Sequence, residues 1–166
     1  MHFAIATLIT AATAALAAPS PGGWDIQKEA ARVGAVHIIT VSDEGFSPAS
    51  LEAKYGDILE FHFKPGTHSV VQSSYESPCS YVKGGFTSGN MDTPEDQQEN
   101  VRDFQVSVSD DQPIWFYNGS LDRCHKEGHV GVVNPPASDS LGNFQKSARE
   151  QTSTENVART LGGILN

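Results

Sequence analysis

Between residues 36 and 133 the apolar positions recur with a period of two rather than 3.6. Val36-His37-Ile38-Ile39-Thr40-Val41, Ile58-Leu59-Glu60-Phe61-His62-Phe63, Phe104-Gln105-Val106-Ser107-Val108 and Val130-Gly131-Val132-Val133 are short, rich in β-branched or aromatic residues, and bounded by turn formers. Each predicts a strand. The punctuation is Asp43-Glu44-Gly45, Tyr55-Gly56-Asp57, Lys64-Pro65-Gly66, Gly84-Gly85, Asp110-Asp111-Gln112-Pro113 and Asn118-Gly119. Short strands at this spacing predict an all-β fold, an antiparallel sandwich or barrel, rather than a sheet with crossover helices. Residues 87–103 are polar and acidic and predict a surface loop. After Pro136 the only apolar stripe is Val157, Leu161 and Leu165 at helical spacing, so residues 137–166 are expected to form a polar tail, disordered or carrying one loosely docked helix.

The front of the chain reads as an address. Phe3, Ile5, Leu8 and Ile9 precede an Ala/Thr run, and Ala15-Leu16-Ala17 supplies a small-x-small site ahead of Pro19. Residues 1–17 are therefore expected to be a signal peptide, 18–33 a linker and 34–136 the folded domain. A membrane span needs about 20 apolar residues, and the Gly/Pro/Ser stretch at 19–23 interrupts the run before that length. The tail lacks the terminal apolar stretch of a lipid-anchor signal. These features predict a secreted, extracellular or cell-wall protein without membrane insertion.

Length and charge narrow the function classes. The 166 residues suit one domain of ordinary size, which excludes an enzyme with separate cofactor and substrate domains. Eleven Lys+Arg against twenty Asp+Glu give a formal charge of −9, which repels phosphate backbones and excludes nucleic acid as an expected partner. Two cysteines, Cys79 and Cys124, in an exported chain favour one disulfide. The rival reading, two thiols as metal ligands, requires a reducing compartment or a protecting metal. No nucleophile elbow, paired catalytic acids, Gly-rich phosphate loop or zinc-protease motif occurs, so no catalytic residue is assigned and a non-enzyme is favoured.

Three local sequences carry a resemblance. Gly66-Thr67-His68-Ser69-Val70-Val71-Gln72 running to Pro78-Cys79, then Gly84-Gly85-Phe86-Thr87-Ser88-Gly89, then Pro113-Ile114-Trp115-Phe116-Tyr117 with Val130-Gly131-Val132-Val133-Asn134-Pro135, resemble the secreted fungal cupredoxin-like proteins. Phe46-Ser47-Pro48 and the Gly56-Asp57 turn into Ile58-Leu59-Glu60-Phe61 fit the same pattern. The resemblance implies a Greek-key β-sandwich of cupredoxin type over about residues 34–136. It also implies a disulfide between Cys79 and Cys124 near the copper-site end.

Carried over residue by residue, the family's copper chemistry largely fails. A blue-copper site needs two imidazoles and a thiolate in a plane with a weak axial ligand. The first imidazole falls on His68. The thiolate position holds Asn118, the second imidazole Arg123 and, after what reads as a one-residue insertion, the axial Met position holds His129. Type 1 copper is therefore not expected. The alternative is a non-blue copper or zinc site, or a type 2 copper redox centre, built from His68, His125 and His129. His37 and His62 read as half-exposed strand residues rather than ligands. Asn118-Gly119-Ser120 is a sequon, so Asn118 is a glycosylation candidate, which requires this corner to be exposed. The favoured function is a non-enzymatic binding, cell-surface or accessory protein whose partner is a cell-wall component or another secreted protein. The alternative partner is a divalent metal ion.

Overall fold

The computed structural model describes residues 34–137 and 140–166. The expected signal peptide and the whole of the linker lie outside the described residues. The strands are β1 (Val36–Ser42), β2 (Gly45–Ser47), β3 (Ser50–Leu51), β4 (Ile58–Phe63), β5 (Gly66–His68), β6 (Val71–Ser73), β7 (Met91–Thr93), β8 (Phe104–Ser107), β9 (Ile114–Tyr117), β10 (Val130–Val133) and β11 (Ile164–Leu165). Two short helices join them, α1 (Arg123–Glu127) and α2 (Leu141–Arg149). The four strands read from the sequence are β1, β4, β8 and β10.

The strands form a five-stranded sheet in the order β11-β8-β4-β1-β2, a four-stranded sheet in the order β3-β10-β9-β6, and a β5-β7 hairpin. The fold is the all-β sandwich expected, with one difference. β1 runs parallel to β4, and β3 parallel to β10, while the other pairs are antiparallel. The reason lies at Phe46-Ser47-Pro48-Ala49, where the chain leaves the first sheet and enters the second. It then returns as β4 beside β1, in the same direction.

The period-two pattern has its physical cause in β1 and β4. On β4, Leu59, Phe61 and Phe63 are fully buried, while Ile58, Glu60 and His62 are only half-buried. The inward set meets Ile39, Val41, Phe104, Phe116 and Val133 in the main core. β9 and β10 do not alternate, because both of their faces are covered and every residue from Trp115 to Tyr117 and from Val130 to Val133 is buried. Gly131 is required here, since a Cβ at this position would lie 2.4 Å from the Phe116 ring.

A second core covers the far face of the four-stranded sheet: Trp115, Tyr117, Val130, Val132, Phe144 and Ala148 around the Cys79–Cys124 disulfide. The tail carries the one helix expected of it, α2, whose Phe144 and Ala148 are buried in this core. Ser140 caps α2 by accepting a hydrogen bond from the Asn143 amide at 3.2 Å, and Phe144 packs 4.6 Å from the Trp115 ring. The stripe at Val157, Leu161 and Leu165 is not helical. Leu161 bridges to Thr87, and Ile164 and Leu165 pair with β8. The Tyr117 hydroxyl donates to the Glu155 carbonyl at 2.9 Å, and the Glu155 amide donates to the Cys79 carbonyl at 2.9 Å. Main-chain hydrogen bonds hold this segment, and periodicity does not report them. The 87–103 segment is likewise more structured than a surface loop, with β7 inside it and Met91 fully buried.

Phe144→Ala should cost about 3–5 kcal/mol in urea unfolding, the usual loss for a buried aromatic. Ile164→Ala, at a side chain 64% exposed, should change stability by less than about 0.5 kcal/mol. The unreduced protein should offer no alkylatable thiol under denaturing conditions. Reduction of a bond that closes a 45-residue separation should remove about 4 kcal/mol in the chain-entropy account.

Candidate functional site

Two segments build the corner to which the resemblance points. The first is the turn from β4 into β5, where Gly66 at φ +107° lets the chain reverse and sets His68 back over it. The His68 Nε2–H donates to the Pro65 carbonyl at 3.1 Å, and the ring is fully buried. The second is the connection from β9 to β10, which carries Asn118, then α1, then His129. Cys124 in α1 is bonded to Cys79, and the α1 carbonyl of Glu127 accepts from Arg149 of α2 at 2.9 Å. The second core therefore holds this connection in place.

Asn118 is completely buried, contrary to the exposed corner that a glycan requires. Its Oδ1 accepts from the Ser69 and Ser120 amides, each at 3.1 Å, and its Nδ2 donates to His68 Nδ1 at 3.4 Å. The amide thus ties the β5–β6 turn to the β9–β10 connection and holds the His68 ring. Arg123 is also largely enclosed. Its Nη2 lies 2.6 Å from Asp43 Oδ1 and its Nη1 3.4 Å from Glu127 Oε2. Glu127 Oε2 in turn lies 3.1 Å from His129 Nε2. His68, Asn118, Arg123 and His129 thus meet at one corner, bound together by Asp43 and Glu127.

His125 does not join them. Its Nδ1 and its main-chain amide both engage Thr154 Oγ1, at 2.7 and 3.1 Å, on the tail. Among the described residues, the ligand atoms of His68, His125 and His129 form no converging group; the His/Asp/Glu set that does converge is Glu60, His62 and Asp103. His68 and His129 are buried. Asp43 and Thr154 were missed from the sequence because their partners lie 80 and 29 residues away, whereas Glu127 is only four and two residues from Arg123 and His129 and belongs to no motif. Asp43 and Glu127 were visible only as ordinary acidic turn and loop residues.

Burial sets the electrostatics. It pushes the His68 pKa below the ordinary 6.5, against the Pro65 carbonyl and with help from the Arg123 cation. His129 is lowered first by burial; Glu127 opposes this, and Arg123 and His68 reinforce it. Both rings are neutral in the folded protein near neutral pH, one positive charge already being present at Arg123.

The pH dependence follows from these directions. Below 6.5 the unfolded chain protonates these imidazoles before the folded protein does, so stability falls as the pH drops from 6.5 through the folded pKa values. Metal-free protein should lose Tm between about pH 6.5 and pH 5, and a His68→Gln/His129→Gln variant should have a shallower acid slope. An unchanged slope in the variant would mean that neither ring is held neutral by the fold.

No protein-family model matches the chain. It is 33% identical over 122 residues to an extracellular serine-rich protein of Arthroderma benhamiae, covering 72% of this chain and 46% of that protein. It is 26% identical over 115 residues to a probable GPI-anchored cupredoxin of the same fungus, covering 68% of this chain and 58% of that protein. The chain thus spans about half the length of the curated relatives it matches. Among solved structures, a purple cupredoxin from Nitrosopumilus maritimus aligns at TM-score 0.44 and 15% identity over 58% of this chain and 95% of that one. Oxidised plastocyanin from Dryopteris crassirhizoma aligns at 0.38 and 19% over 58% and 97%. In sequence the chain is thus similar to two fungal proteins, one of them named a probable cupredoxin, and its two β-sheets pack as the sandwich that the resemblance implies.

Proposed function

We propose that this is a cupredoxin without type 1 copper, in which an ion-pair cluster takes over the ligand corner, and that it acts outside the cell as a non-enzymatic binding module. The observation that carries the reading is Arg123, which occupies the second imidazole position and bonds Asp43 at 2.6 Å between His68 and His129. A guanidinium is permanently charged and repels a divalent ion. The donor set does not fit type 1 copper on a second count. Both cysteines of the chain are in the disulfide, and the amide at the thiolate position already uses its oxygen and one N–H within the fold. An Asn118 that is completely buried and bonded through both its oxygen and its nitrogen also supports a chain that carries no glycan there once folded.

An extracellular location is carried from the leader-like residues 1–17 and from the names of the two relatives, one called extracellular and one GPI-anchored. A formal charge of −9 suits a basic or polyhydroxyl partner, such as a cell-wall component or another secreted protein, better than an acidic one.

Addition of Cu(II) to the purified protein should produce no intense blue absorption, because no thiolate is available for sulfur-to-copper charge transfer. His68→Ala and His129→Ala should leave any weak Cu(II) or Zn(II) binding unchanged. Submicromolar binding that either substitution abolishes would replace this reading with that of a histidine-based metal protein. Asn118→Cys with Arg123→His should acquire an absorbing Cu(II) complex, which would locate the lost chemistry at these two positions.

A further inference from the structure

The outer face of the five-stranded sheet carries a second cluster, separate from the corner just described. In the β4–β8 ladder Glu60 lies opposite Gln105 and Phe61 opposite Phe104, so one step further His62 comes opposite Asp103. Glu60 and His62 are two apart on one strand and share a face. One ligand atom each from Glu60, His62 and Asp103 lies within 4.8 Å of the others, and all three side chains are half-buried.

Each of the three is oriented by its own outer partner. Glu99 Oε1 lies 2.6 Å from His62 Nδ1, and Lys64 Nζ holds the other Glu99 oxygen at 2.9 Å. A proton on Nδ1 directed at Glu99 leaves Nε2 for the cluster, 2.6 Å from Glu60 Oε1. Gln105 Nε2 donates to Glu60 Oε2 at 2.7 Å, which turns Oε1 toward the imidazole. Asn166, paired at the edge through β11, donates from Nδ2 to Asp103 Oδ1 at 3.3 Å. A carboxylate behind an imidazole, and hydrogen bonds behind each ligating carboxylate, are the outer supports that metal ligands need to keep tautomer and aim.

We propose that Glu60, His62 and Asp103 form a divalent transition-metal site, with Glu99 as the positioning residue for His62. One imidazole nitrogen and two carboxylate oxygens suit Zn(II) and its first-row neighbours better than Mg(II) or Ca(II), which take oxygen ligands alone. Two anionic ligands neutralise the cation, and half-exposure leaves the remaining positions to water. On binding, the cation replaces the proton shared between His62 Nε2 and Glu60, and that proton is released to solvent. The competing state is the same cluster as a plain ion pair, with His62 protonated and bonded to both Glu60 and Glu99.

Zinc titration of the purified protein by calorimetry, in buffers of different ionisation enthalpy, tests the proposal. We expect saturable binding of one equivalent per chain with proton release. Asp103→Asn and His62→Ala should each weaken binding at least about tenfold, and Glu99→Gln by about tenfold. His68→Ala/His129→Ala should bind as wild type. Zinc-dependent NMR shifts in the wild-type protein, centred on the His62 ring and the Asp103 amide, give the same answer without any variant. Absence of saturable binding in the wild type overturns the site, as does binding that Asp103→Asn leaves unchanged. Shifts centred on His68 and His129 would overturn it too, and would assign the metal to the other corner.

Discussion

The four-stranded sheet is apolar on both faces, and the need to cover the second face organises the rest of the chain. Its first face closes the main core through Phe116 and Val133, against Phe61 and Phe104 of the other sheet. Its second face presents Trp115, Tyr117, Val130 and Val132, which in a bare two-sheet sandwich would stand in water. Phe144 and Ala148 of α2 cover them, with Tyr75 and the disulfide at the sides. Burying that area is worth far more than the helix propensity of nine polar-faced residues, so α2 is best understood as made by its docking site.

The ligand corner depends on this layer. Cys79 and Cys124 tie α1 to the 74–81 loop, Arg149 donates to the Glu127 carbonyl at the end of α1, and Thr154 Oγ1 engages the main-chain amide and Nδ1 of His125. With the connection fixed from behind, Arg123 and His129 can only face Asp43 and His68. That end is held together by a hydrogen-bonded amide, Asn118, and by a guanidinium, Arg123, between the carboxylates of Asp43 and Glu127.

The two sheets therefore divide their outer faces differently. The face of the four-stranded sheet is sealed, whereas that of the five-stranded sheet is open and bears Val36, Ile38 and Ile164 among polar residues. Glu60, His62, Gln105 and Asp103 sit on this open face, with the imidazole flanked by the two carboxylates. The same alternation that buries Leu59 and Phe61 sets Glu60 and His62 side by side outside.

The sequence by itself determined the local matters: the strands β1, β4, β8 and β10, the turns between them, the absence of a thiolate to follow Tyr117, and the pair of cysteines. Period two is a property of single strands with one wet face, so it is legible in β1 and β4 and absent from β9, whose identity rested on its resemblance to a motif. Tertiary structure decided whatever depends on partners distant in the chain. The return of β4 beside β1 made the sheet mixed, hydrogen bonds to the Cys79 carbonyl and from the Tyr117 hydroxyl ordered a tail without periodicity, and burial made Asn118 a structural amide instead of a surface sequon. It also turned His125 away from the corner where His68 and His129 meet, and brought together Glu60, His62 and Asp103, because the register of β4 against β8 is set by the packing of Phe61 and Phe104, and no local signal carries it.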